Sequence, residues 1–358
     1  MTDDAPEVPP VGEWLRGSGP ESDIVLSSRL RLARNVVGFP LRARLGEEES
    51  HELCEHLRPR IEAAGLAPDL DFVALEELTD IERLVLVERH VISLEHANGL
   101  GDRGVVSDEP GRIALMLNEE DHLRIQCIAS GLDLNSIFDR SREIERKLAS
   151  LIDFAFHARF GYLTSCPTNV GTGMRVSVML HLPALVFAKQ IDKVFNSVSK
   201  MNLAVRGFYG EGTKALSDLY QISNQVTLGR SAEKLLDDVR RVLPKIVAFE
   251  RDVRKQLLDN DRLVVEDRVW RALGILRTAR TIASEEAFEH LSWIRMGVHL
   301  GLIEELDIES VNRTFNLCQP GHLQASQGGG ALETRHRDIV RARLIRESLA
   351  EGGAAPSG

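Results

Sequence analysis

The sequence has no apolar run approaching the roughly 18 residues that a membrane-spanning helix needs. Its acidic, proline-bearing N-terminus lacks the basic-then-apolar character of a secretory leader. Cysteine is scarce. Cys54, Cys127, Cys166 and Cys318 lie far apart with no Cys-x-x-Cys pair, which argues against a disulfide framework or a zinc finger and for a reducing, cytoplasmic setting. Excess positive charge is missing too. The 358-residue chain carries a formal charge of −10, so nucleic acid is not expected as its main partner. There is no Gly-x-x-x-x-Gly-Lys-Ser/Thr loop, and no Gly-x-Gly-x-x-Gly paired with a strand lysine. Gly171-Thr-Gly173 and Gly210-Glu-Gly212 are only weak glycine signals. A bound triphosphate would have to find its neutralising charge elsewhere.

What is present is ordinary globular composition, 43% hydrophobic and 27% charged, enough for a large core in two or three domains. The stretch that organises the rest is residues 166–182. Val176, Val178, Leu180 and Leu182 alternate with Arg175, Ser177, Met179 and His181, a strand pattern. Pro167, Gly171 and Gly173 make the preceding segment a turn that delivers Cys166 to the sheet edge. The glycines would let backbone approach a ligand closely. From these residues alone, a phosphate site and a hairpin entry with a structural thiol are equally good readings.

Residues 1–22 hold four prolines and several acids and are expected to lack fixed structure. From Asp23 to Asn35 the pattern is a strand with Ser27, Arg29 and Arg31 on one face, either parallel guanidinium forks or a basic edge strand. Residues 48–64 and 80–94 read as helices, the second with a possible strand, and His90 falls near its end. Residues 111–118 and 123–129 read as strands joined by Asn118-Glu-Glu-Asp-His122. Three consecutive acids are poor hairpin chemistry, and clustered carboxylates repel, so a reason beyond folding is expected. Residues 134–159 and 185–199 read as helices. Residues 205–212 form a strand end and glycine-rich loop exposing Arg206 and Glu211, and 219–228 form a strand. Ser231 caps a long helix to about Asp259. Beyond it the pattern is all helical: 262–280, 284–300, 307–316 and 333–350.

Arg29, Arg31, Arg124, Arg175 and Arg206 all sit beside turns in the strand-rich part, a set of permanently charged, bidentate donors suited to a polyphosphate. Here a resemblance enters. Asn118-Glu-Glu-Asp-His-Leu-Arg124 and Cys166-Pro-Thr-Asn-Val-Gly-Thr-Gly173 resemble the two signature stretches of guanidino (phosphagen) kinases. Ser27-Ser-Arg-Leu-Arg31 and Arg206-Gly-Phe-Tyr-Gly-Glu211 complete a likeness spanning roughly residues 23–253, with Val170 a mild variation. The C-terminal part, with Arg337-Asp-Ile-Val-Arg-Ala342, resembles the bacterial protein-arginine kinase branch.

The resemblance implies an α+β fold. A phosphagen-kinase-like catalytic domain (23–253), with a mostly antiparallel sheet flanked by helices, would precede an all-α regulatory or oligomerisation domain (254–350) and a disordered tail (351–358). It implies that Arg29, Arg31, Arg124, Arg175 and Arg206 hold the ATP phosphates. Ser27, Ser28, Leu30, Val176, Ser177, Val178, Met179 and the run Gly207, Phe208, Tyr209, Gly210, Glu211 would line the same site, with His90 against the base. Glu120 and Glu211 would grip the substrate guanidinium, with Cys166 beside it as a thiolate. Glu120 would be the base, since a guanidinium becomes a nucleophile only when it sheds a proton. Magnesium would ride on the phosphates with no dedicated metal site. Arg337, Asp338, Arg341 and Ala342 would form an allosteric phosphoarginine pocket, though a solvated outer helix face is the simpler reading of those residues.

The implied activity is phosphorylation of protein arginines, marking proteins for Clp-type degradation under stress. The implied partners are protein substrates, a zinc-containing activator, a Clp protease and further copies of the chain. Small-substrate relatives carry a helical domain before the position of Ile24, where this sequence has only 23 residues. An open guanidinium pocket is therefore expected. A small-molecule guanidino kinase and a non-catalytic phosphoarginine-binding adaptor are the competing readings.

Overall fold

The computed structural model describes residues 11–207 and 217–351. Among the described residues there are ten strands: β1 (Val25–Arg34), β2 (Asp71–Ala74), β3 (Gly104–Ser107), β4 (Ile113–Leu117), β5 (Leu123–Ser130), β6 (Phe156–His157), β7 (Gly161–Tyr162), β8 (Met174–His181), β9 (Leu203–Gly207) and β10 (Leu219–Asn224). Eight of them form one sheet in the order β2-β3-β4-β5-β1-β8-β10-β9, and β6 and β7 form a separate hairpin. Every pairing is antiparallel. The helices are α1 (Glu47–Ala63), α2 (Asp80–Glu88), α3 (Leu94–Asn98), α4 (Leu134–Ala149), α5 (Pro183–Phe187), α6 (Ile191–Ser199), α7 (Ala232–Thr278), α8 (Ser284–His299), α9 (Ile308–Leu317), α10 (Pro320–Ala325) and α11 (Thr334–Glu351). The fold is α+β, an antiparallel sheet flanked by helices and followed by a helical C-terminal region. No helix of the described residues is long and apolar enough to cross a membrane.

Alternation splits the central strands between two environments. Leu30 and Leu32 of β1, Ile125 and Cys127 of β5, and Val176 and Val178 of β8 belong to the buried core, which also takes in Ile137 and Leu148 of α4. The polar residues between them are left for the other face. Local chemistry starts the helices. Thr79 accepts from Glu82 N (3.2 Å) while the Glu82 carboxylate accepts from Thr79 N (2.7 Å), a capping box for α2. Asp133 and Ser231 are single N-caps of α4 and α7, accepting from Ser136 N and Lys234 N.

Four expectations change. Residues 13–15 form a buried turn in which Trp14 has no exposed surface, so 11–22 are packed rather than unfixed. The helix expected to reach Arg159 stops at Ala149, because main-chain bonds from Val37 to Asp153 and from Ala155 to Asn35 draw the chain sideways into the β6–β7 hairpin. The helix expected over 185–199 is two, broken where Lys189 takes φ 56°. The strand expected to reach Leu228 ends at Asn224. Asp261 has non-helical angles (φ −135°, ψ 35°) and divides α7 at the place where the sequence separates the helices of 231–259 and 262–280.

The helical region is tied to the sheet by a buried polar network. Glu250 of α7 accepts from Ala184 N, Leu185 N and Arg254 Nε at 2.8–3.1 Å. Arg295 of α8 donates to Asp23 O and to His181 Nδ1, bridging the start of β1 and the end of β8. His181 then donates through Nε2 to Ser292 Oγ (2.8 Å), and Ser292 donates to Asp218 (2.9 Å). Every buried charge in this set has partners, as burial demands.

Candidate active site

The register gathers the arginines. Arg31 lies opposite Arg175 on β8 and Gln126 on β5, Arg29 lies opposite Ser177, and Gln221 on β10 lies opposite both Met179 and Arg206. Residues directly opposite, and residues two apart on one strand, share a face. Ser27, Arg29, Arg31, Arg124, Gln126, Arg175, Ser177, Met179, Arg206 and Gln221 therefore occupy one face of the sheet. Arg29 reaches across β8 to Gln221 Oε1 (2.5 Å) and bonds Ser177 Oγ on the way (3.4 Å). Burial, with Arg124 and Arg175 close by, pushes the Arg29 guanidinium down to about 10. Burial and the charges of Arg29, Arg124 and Arg175 hold Arg31 well below the usual arginine range, against a smaller pull from Glu119. The face is electropositive.

The same alternation removes four expected side chains from that face. Ser28, Leu30, Val176 and Val178 have no exposed surface and point toward the helix layer. Ser28 Oγ donates to Gly131 O (2.8 Å) and accepts from Asp133 N, an anchor for the start of α4. Only the backbone of these four borders the arginine face. Gly207 ends β9 beside Arg206. Phe208, Tyr209, Gly210 and Glu211 lie outside the described residues.

His90 follows α2 with φ 61°. Its carbonyl accepts from Gln126 Nε2 (2.6 Å), and its ring stacks on Trp14. Burial, then Arg29 and Arg31, push the imidazole down to about 3, so it is neutral.

The acidic turn between β4 and β5 divides its carboxylates sharply. Glu119 is buried and accepts from Ser93 Oγ (2.6 Å), from Glu120 N (2.7 Å) and from Arg124. Asp121 is buried and accepts from Asn35 Nδ2 (2.8 Å) and Ser165 N (2.6 Å). His122 accepts from Val36 N at Nδ1 and donates from Nε2 to Pro40 O. Those residues fold the turn. Glu120 alone keeps a partly exposed carboxylate (44% of the side chain), 3.6 Å from Arg124 Nη2 and 3.5 Å from Asn169 Nδ2. Partial burial pushes its carboxyl up, opposed by Arg124 and assisted by Asp121 and Glu119.

Cys166 starts a short turn (Pro167–Asn169) and is half-buried, with Sγ 3.0 Å from Thr168 Oγ1. Asn169 and Ser165 join its loop to the acidic turn. The glycines of this loop do not make room for a ligand. A Cβ on Gly171 would meet Thr227 O at 2.7 Å, and one on Gly173 would meet Ala33 O at 2.6 Å. Both hold positive φ and press against the protein itself.

Comparison with known proteins adds the family. Residues 54–253 match the model of the ATP:guanido phosphotransferase C-terminal catalytic domain, and 262–356 match that of the protein-arginine kinase McsB C-terminal domain. The protein-arginine kinases of Pelotomaculum thermopropionicum and Halalkalibacterium halodurans are each 44% identical, over 94% and 95% of this chain and 95% of each relative. The chain belongs to the protein-arginine kinase family. Among solved structures, the duplicated taurocyamine kinase of Schistosoma mansoni aligns with TM-score 0.59 at 26% identity over 66% of this chain, which spans only 34% of that larger one. A lombricine kinase aligns with TM-score 0.57 at 24% identity, covering 72% of this chain and 73% of that one, and shows the fold alone.

In this kinase the C-terminal arginines have unlike surroundings. Arg341 is buried, donating from Nε to Cys318 O (3.1 Å) and from Nη1 to Ile282 O (2.9 Å) and Asp338 (2.6 Å). Arg337 is half-exposed and bonds Thr334 Oγ1 (3.2 Å), while Ala342 is buried in the core. Motif reading passed over Glu119, Asn169, Gln221 and Trp14. Glu119 and Asn169 stood inside motifs already flagged, and Gln221 and Trp14 carry no local pattern that marks them.

Proposed function

We propose that this kinase transfers the γ-phosphoryl group of ATP to the guanidinium of arginine side chains in proteins. The observation that carries the reading is Glu120, the one carboxylate of the acidic turn left partly exposed, set beside the arginine face and the Cys166 loop.

When bound, ATP supplies the phosphoryl group, and its magnesium ion neutralises phosphate charge. The residues fit such a ligand. Buried guanidinium groups share one face, Arg31 Nε is buried without a hydrogen-bond partner, and a neutral His90 lies at the side of the face to meet the base. Magnesium would be carried mainly through the phosphates. Glu120 accepts the guanidinium proton as the N–P bond forms and the P–O bond to ADP breaks. Glu211, outside the described residues, would be the second carboxylate to orient that planar group. Cys166, on the loop beside the acidic turn, would lie next to the guanidinium.

Incubating the chain with ATP and an arginine-rich, partly unfolded protein should yield acid-labile phosphate on arginine. Phosphate on free arginine alone would turn the reading into a small-molecule kinase. Phosphoarginine binding without transfer would turn it into an adaptor.

The same reading places the chain in the cytoplasm, with a zinc-containing activator and a Clp protease as partners and stress-linked degradation as the outcome. Arg337 and Asp338 would recognise phosphoarginine, with Arg341 and Ala342 as their structural base. A homo-oligomer is favoured by Leu263, Val264, Trp270 and Ile275 of α7, apolar side chains left exposed.

A further inference from the structure

Trp14 stacks on the His90 imidazole with ring centroids 4.3 Å apart and planes 5° from parallel. Its Nε1 donates to Glu88 O (3.1 Å). Phe315 of α9 meets the indole edge-on at 6.2 Å, and Phe288 of α8 packs on Phe315 at 4.6 Å. The Glu88 carboxylate accepts from Gly321 N (2.6 Å) and His322 N (2.9 Å) and pairs with His322 Nδ1 (2.7 Å), at the start of α10. The turn that carries His90 is thus gripped by the segment ahead of β1 and by the helical region. That grip has a job to do, because His90 holds φ 61°, a left-handed conformation that non-glycine side chains adopt only when their surroundings impose it. His90 is also close enough to Arg29 and Arg31 to feel their charge.

We propose that Trp14 is a positioning residue that fixes the His90 ring as one wall of the nucleobase site, and that the helical region braces this wall through Phe315 and Glu88. The inference rests on the reading above that a nucleotide lies on the arginine face with its base at His90. It divides the labour of nucleotide binding. The arginines hold the triphosphate whatever base is attached, and Trp14 governs only the part of the affinity that depends on the base.

The test compares affinity for ATP with affinity for inorganic tripolyphosphate, both with magnesium, in the full-length chain. Trp14→Leu should weaken ATP about five- to tenfold, the range expected for losing an aromatic stack, and leave tripolyphosphate within about twofold. KM for ATP should rise more than kcat falls. Trp14→Phe keeps a stacking ring and should recover most of the loss. Equal weakening of both ligands would make Trp14 a structural residue only, and unchanged ATP affinity would overturn the inference outright. Should Trp14→Leu fail to fold, Trp14→Met, a longer and more adaptable side chain without a ring, decides by the same two criteria. His90→Ala separates the layers. An unchanged preference for ATP over tripolyphosphate in that variant would sink the placement of the base itself. A lost preference there, with none lost in the Trp14 variants, would sink only the role of Trp14.

Discussion

Arg31 and Arg175 face each other directly across the β1–β8 ladder. Like charges at opposed positions weaken a sheet by roughly 0.2–1 kcal/mol, and Arg29 and Arg124 crowd the same pair. The face therefore carries a repulsive cost that a bound polyphosphate would lower. Arg175→Gln should raise the melting temperature of the ligand-free protein by about 1–3 °C while weakening ATP at least tenfold. Calorimetry and nucleotide titration on one preparation check both signs. Loss of stability together with affinity would show that the pair is held by contacts rather than strained by repulsion.

Glu120→Gln should retain ATP binding and lose phosphorylation by about 10²- to 10⁴-fold, the usual worth of a general base. Wild-type turnover in that variant removes Glu120 from the mechanism.

The raised pKa of Glu120 sets two signs. As a base it works only when ionised, so kcat/KM should climb with pH, with a midpoint above the ordinary carboxylate value of about 4.3. For stability the sign is opposite. A carboxyl raised in the folded state favours the fold in its protonated form. That contribution is full below the unfolded pKa and is lost as pH rises through the folded one. Glu120→Gln should abolish the acid limb of activity and flatten the pH dependence of melting in this window. An acid limb surviving in residual Glu120→Gln activity would assign it to another group.

Cys54, Cys127 and Cys318 are buried, and burial pushes each thiol up to about 12. Cys166 is the half-buried one. Iodoacetamide near neutral pH should label Cys166 alone, with ATP and substrate together slowing it. Cys166→Ser should impair activity more than Cys54→Ser. Peptide mapping that finds the label spread over several cysteines would contradict this accessibility order.

Arg341 and Arg337 should separate in a melting experiment. Arg341→Ala leaves the buried Cys318 and Ile282 carbonyls without a donor, costing about 3 kcal/mol. Arg337→Ala, on a half-exposed side chain, should change stability by less than about 0.5 kcal/mol. Only Arg337→Ala is then a clean probe of phosphoarginine binding, read by calorimetry with the free compound. Unimpaired binding in that variant leaves this helix with a structural role alone.

Much of the site could be read from spacing. Arg29 and Arg31 stand two apart on a strand, and that period alone puts them on one face. The same period, applied residue by residue, also separates Ser28, Leu30, Val176 and Val178 from them. Taking each motif as a continuous block carried those four into the site. Gly171 and Gly173 show a different limit. A glycine marks close approach but not what approaches, and here it is the backbone of Thr227 and Ala33. Leu151 and Ile152 continue the apolar spacing of α4, so the overrun toward Arg159 was built into the pattern. What ended the helix was main-chain bonding to Asn35 and Val37, far away in sequence. Trp14 sits in a three-residue turn, too short for any period to register.

β1 is the first strand of the sheet to be synthesised, yet it lies in the interior, between β5 and β8. One neighbour begins at Leu123, the other at Met174, and Gln221, which holds Arg29, comes later still. At roughly 5–20 residues per second on the ribosome, β1 waits several seconds or more for its second edge to be covered. A chain ending before β10 lacks Gln221, which holds Arg29, and the strand that seats β9 with Arg206, so the arginine face is completed late. Until then the chain exposes an unpaired strand edge, as any unfinished sheet does.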